Sequence, residues 1–77
     1  MARRKADVRI GYRAAEEAFR IAHSAQYAAV LVGGDRKIVY AWSEGNAPSA
    51  IYLQRLHELG ADVIYILTGR RCARNEG

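Results

Sequence analysis

Cysteine, proline, phenylalanine, methionine and tryptophan each occur once in these 77 residues, and histidine only twice. A single cysteine, Cys72, excludes an internal disulfide. His23 and His57 have no cysteine or carboxylate at zinc-ligand spacing, so no metal and no cofactor are expected. No apolar run approaches the roughly 18–20 residues of a membrane span, and no signal-peptide pattern opens the chain. The expected location is therefore cytoplasmic, with no membrane partner. Glycines cluster in "VGGDRK", but the spacing and following helix of a phosphate loop are missing. Paired carboxylates and Ser/His/Asp groupings are also missing, and Ser43 and Glu44 read as loop and cap residues. An enzyme is not expected.

What is present is apolar surface. Hydrophobic residues make up 51% of the chain. A domain this short buries only about 60% of its unfolded surface. One small domain with a surplus of apolar side chains points to a homo-oligomer, a dimer in the simplest case, or to a bound partner.

Charge is divided unevenly. Residues 1–13 carry Arg3, Arg4, Lys5, Arg9 and Arg13 against Asp7, and residues 69–77 carry Arg70, Arg71 and Arg74 against Glu76. These ends amount to +6 and the body to −2, for a net +4. The expectation is one domain over 1–77 with basic, flexible ends at about 1–6 and 69–77.

The order of elements follows from apolar spacing. Ala15, Ala18, Phe19 and Ala22 share one helical face between Arg13 and Ala25, opposite Arg13, Glu16, Glu17 and Arg20. "YAAVLVGGDRKIVYAW" reads as a β-hairpin, with Gly34-Asp35 as its two-residue loop. That register sets Leu31 opposite Ile38, Ala29 opposite Tyr40 and Tyr27 opposite Trp42. In "SEGNAPSAIYLQRLHELG", Asn46 suits a cap, Pro48 the first turn and Gly60 the end of a helix. Tyr52, Leu53, Leu56 and Leu59 form its apolar stripe, while Ile51 falls among outward-facing residues. "DVIYILT" reads as a strand covered on both sides. The segment 7–12 fits either a first strand or the start of the first helix.

The expected fold is α+β, a mostly antiparallel sheet with two helices in the order αββαβ, with a ferredoxin-like βαββαβ order as the alternative. On such a sheet Tyr27, Tyr40, Trp42 and Tyr65 form an aromatic surface too large for a typical monomer to expose. The functional expectation is a non-enzymatic protein-binding domain of the kind phages use to inhibit host machinery. Its contacts would be Tyr27, Tyr40, Trp42 and Tyr65, with Ile51 and Arg55 as a second surface. The alternative is a nucleic-acid-binding module using the sheet aromatics and Arg3, Arg4, Lys5, Arg70, Arg71 and Arg74.

Overall fold

In a computed structural model that describes residues 9–71, the chain forms five α-helices, and no strand occurs among those residues. The helices are α1 (Arg9–Ala22), α2 (Ala25–Val32), α3 (Arg36–Ser43), α4 (Ala50–Glu58) and α5 (Val63–Thr68). The α+β expectation, in both its αββαβ and its ferredoxin-like form, is therefore overturned. The segment read as a hairpin is α2, a turn and α3; the segment read as a final strand is α5. None of the expected cross-strand pairs exists.

The physical reason lies in the caps. Ser24 Oγ accepts a hydrogen bond from Tyr27 N, Asp35 Oδ1 from Lys37 N and Ile38 N, and Asp62 Oδ1 from Tyr65 N. Each bond satisfies backbone donors that the first turn of a helix otherwise leaves open. Short runs of β-branched and aromatic residues are thereby held helical despite their preference for strands, because tertiary packing overrides that preference.

α1 is the central element and packs against α2, α3 and α5; α4 rests on α2 and α5. Eight of the thirteen buried hydrophobic residues among those described are alanines, four of them on α1. Side chains this small let helices approach closely, but they supply little apolar area each. Val32, Val39, Trp42, Leu56 and Ile66 provide the bulk of the core. Gly11 lies in the first half of α1, where a Cβ would sit 2.5 Å from the Asn46 carbonyl oxygen. The absent side chain lets α1 press against the backbone of the α3–α4 loop, and this outweighs the ~1 kcal/mol cost of a helical glycine.

One charge is buried outright. Glu17, on α1, has 0% of its surface exposed. Its carboxylate accepts from Arg20 Nη2 at 2.8 Å and Nε at 3.2 Å, and from Asp62 N at 2.8 Å. Arg71 Nη1 lies 3.1 Å from Oε2. Arg71 also stacks over the Tyr65 ring, 3.8 Å from its centroid. This cluster ties α1 to the start of α5 and to the residue three positions after α5 ends. Burial pushes the Glu17 carboxyl pKa upward, but the bonds from Arg20, the Asp62 amide and Arg71 outweigh it and hold the pKa at about 2, below the ordinary 4.5.

A carboxylate with a depressed pKa stabilises the fold above its unfolded value and loses that contribution as the pH falls. For Glu17 the loss runs from about pH 4.5 to about pH 2. Glu17→Gln is expected to unfold about 2 kcal/mol more easily at pH 7, since bonds to a charged acceptor are replaced by weaker ones. The gap between wild type and variant, followed by urea unfolding at stepped pH, should narrow across that window. A constant gap would show that the carboxylate is not held ionised by these partners.

Candidate functional site

The pair α2–α3 is closely specified by its caps. Each helix has eight residues, and only Gly33, Gly34 and Asp35 lie between them. Gly33 adopts the left-handed conformation, φ 76° and ψ 25°. Its N–H returns to the carbonyls of Ala29 and Val30, and Gly34 N bonds Ala29 O at 2.9 Å. The helix is thus stopped at once, in the manner of a Schellman end. Asp35 is extended, φ −128° and ψ 174°, and caps α3 with its carboxylate. Left-handed at one end and extended at the other, the chain reverses into a second helix within three residues.

The two helices pack on each other and on α1. Ala28, Ala29 and Val32 supply the inner face of α2; Val39 and Trp42 supply that of α3. Trp42 is only 2% exposed and meets Tyr52 of α4 edge-on, with ring centroids 5.9 Å apart. Arg55, also on α4, donates from Nη1 to Val32 O at 2.8 Å, filling a carbonyl that the end of α2 leaves open. Two short packed helices, a three-residue turn and glycine at the bend are the parts that αα-hairpins and helix-turn-helix units share.

The outer face of the pair is polar and basic at its start. Arg36, Lys37, Tyr40, Ser43 and Glu44 are exposed along α3 and its end, and Gln26, Tyr27 and Val30 along α2. Arg36, Lys37 and Tyr40 fall at spacings of three and four, so they share one side of α3. Neither Arg36 nor Lys37 makes a side-chain hydrogen bond or ion pair among the described residues. Four other described arginines are engaged. Arg13 donates to Ile66 O, Arg20 and Arg71 hold Glu17, and Arg55 holds Val32 O.

The residues singled out from the sequence are therefore scattered. Tyr27 and Tyr40 are exposed on α2 and α3, Trp42 is core, and Tyr65 is half-buried with its hydroxyl donating to Glu16 at 2.6 Å. Ile51 is exposed on α4, four residues before the inward-bonded Arg55. Arg70 is exposed, and Arg71 is committed to the Glu17 cluster. Arg3, Arg4, Lys5, Cys72 and Arg74 lie outside the described residues. Sequence reasoning passed over Arg36 and Lys37, which it placed in a hairpin. The available signal was the spacing of Ser24, Gly33 and Asp35, an N-cap, a C-terminal glycine and a second N-cap.

Other features offer less chemistry. A shallow surface depression between α1, α2 and α4, with no room for a buried ligand, is lined by Ala18, Ile21, Leu31, Leu56, Leu59 and neighbouring apolar residues, with no polar side chain to orient a ligand. Among the described residues no group of three His, Cys, Asp or Glu can hold a metal ion, and no helix is long and apolar enough to cross a membrane. No protein-family model, curated protein or solved structure matches the chain.

The turn is expected to be sensitive in a specific way. Gly33→Val should cost about 2 kcal/mol, because a left-handed β-branched residue is strained and its Cβ would lie 3.0 Å from Arg55 Nη1. Asp35→Ala should cost about 1 kcal/mol through the lost cap, and Asp35→Asn much less. Urea unfolding followed by circular dichroism reads all three. Equal stability of the Ala and Asn variants would mean that the carboxylate does not cap α3.

Proposed function

We propose that this chain is a duplex-DNA-binding module that lays α3 in the major groove. The observation that carries the reading is the short α2–turn–α3 pair with Arg36 and Lys37 exposed at the start of α3 and without side-chain partners among the described residues. In helix-turn-helix proteins the second helix enters the groove with its early residues on base edges, while the first crosses the backbone. Arg36, Lys37 and Tyr40 occupy the former place here; Gln26 and Tyr27, in the first turn of α2, occupy the latter and bear side chains able to bond phosphate oxygens. The net charge of +4 favours a polyanion in general. No strand occurs among the described residues, so the four rings do not act as a sheet surface; of them only Tyr27 and Tyr40 lie on the outer face of α2 and α3.

The test is fluorescence polarisation with a labelled duplex pool, single-stranded DNA and duplex RNA. Binding should favour duplex DNA and fall steeply as salt rises, through counterion release. The double variant Arg36→Ala/Lys37→Ala should weaken binding at least tenfold, since good base contacts are worth about 1–3 kcal/mol each. Its unfolding midpoint should stay unchanged, as both side chains are exposed. Undiminished affinity in a folded double variant would overturn the assignment of α3.

A second reading, protein contact including self-association, is favoured by α5. Ile64 and Leu67 are 53% and 45% exposed, and their spacing of three puts them on one side of a helix. A second copy meeting there fits the habit of such modules to bind two half-sites as dimers. Sedimentation at micromolar concentration should give a dimer for wild type and a monomer for Leu67→Asp. A wild-type monomer, free and on DNA, would remove this reading.

A further inference from the structure

We propose that α3 selects guanine, and that Arg36 and Lys37 make the selection; this rests on the DNA-binding reading above. In the major groove each base shows its own pattern of donors and acceptors. Guanine alone presents two adjacent acceptors, N7 and O6. Adenine pairs its N7 acceptor with an N6 donor, cytosine shows a donor, and thymine shows one acceptor beside a methyl group. A cationic side chain with several N–H donors and no acceptor is therefore matched by guanine and opposed, wholly or partly, by adenine and cytosine.

The structure supplies the other half of the argument. The first two residues of α3 are the basic ones, and both are exposed. The nearest carboxylate, Asp35, directs Oδ1 to the amides of Lys37 and Ile38, so this oxygen is occupied by the cap. Arg13, Arg20, Arg55 and Arg71 are spent on carbonyls or on Glu17 within the fold. Arg36 keeps its planar fork available for a bidentate contact, and Lys37 offers a more compact charge beside it. Tyr40, one turn further along the same side, sets the limit of the base-contacting face toward Ser43, whose hydroxyl donates to Tyr40 O at 2.7 Å.

The experiment has two stages. Wild-type protein is first used to select duplexes from a random pool, and the enriched sites are sequenced. Binding is then measured on the best duplex, and on copies in which each guanine in turn is replaced by 7-deazaguanine. That base keeps Watson–Crick pairing and loses only the N7 acceptor. Wild type, Arg36→Ala and Lys37→Ala are compared. The expected result is an enriched site containing guanine and at least one guanine whose replacement weakens wild type about tenfold. Replacement of that guanine should leave the affinity of Arg36→Ala or Lys37→Ala nearly unchanged.

An enriched site without guanine overturns the proposal while leaving DNA binding intact. So does a 7-deaza penalty that is the same in wild type and both variants. Failure of wild type to bind any duplex overturns the underlying reading as well, and the two failures are thereby distinguished.

Discussion

The reversal at Gly33–Gly34–Asp35 is the constraint on which the arrangement of this molecule depends. A glycine in the left-handed region stops α2, and a carboxylate two residues later starts α3. Three residues leave no slack, so α3 must return across α1 and α2. Ala29 and Ala28 are small enough to admit it, and Val39 and Trp42 fill the space between. Arg55 then reaches from α4 to the Val32 carbonyl, so that a fourth helix holds the end of the second. The direction in which α3 faces solvent is a consequence of these contacts and not of anything on its outer surface. Its outer residues are in that sense free to be chosen for another purpose.

A second lock sits at the start of α5. Buried ions are costly, and removing one partner of such a cluster usually destabilises more than the cluster itself contributes. Glu17 meets that cost with two arginines and a backbone amide. The cluster holds α5, which at six residues could not persist alone. It also accounts for two of the ten arginines. Among the described residues Arg13, Arg20, Arg55 and Arg71 bond inward, whereas Arg36 and Lys37 on α3 and Arg70 after α5 are exposed, a division that net charge alone conceals. Tyr65, which the sequence suggested as a contact ring, belongs to the inward group. Its face receives Arg71, and its hydroxyl, bonded to Glu16, has a pKa raised chiefly by that bond.

The sequence was legible where a helix showed polar and apolar faces. The face of α1 and the stripe of α4 could be read from alanine and leucine spacing, and Gly60 marks an end. It was illegible where short helices are apolar nearly all round. "YAAVLV" and "VIYIL" have too few turns for a 3.6-residue period to stand out, and β-branched and aromatic residues weigh toward strands. The discriminating marks were single polar residues at helix starts: Ser24, Asp35 and Asp62, with Gly33 and Gly69 closing two of the three. By sequence alone Gly11 is only a poor helix former, whereas in the fold it is the point where the helix meets backbone. No local pattern reveals that, because Asn46 is 35 residues away. The site residues suffered in the same way. Trp42 looked like a surface ring only while its neighbours were taken for strands.

The central claim is that the surface of α2 and α3, and not the basic ends or α5, meets DNA. Backbone amide shifts of isotope-labelled protein titrated with duplex DNA test it most directly. The account predicts perturbations concentrated at Gln26–Tyr27 and from Asp35 to Glu44, with the interior of α5 nearly silent. Shifts confined to α4 and α5, or to the terminal segments with α3 undisturbed, would contradict it.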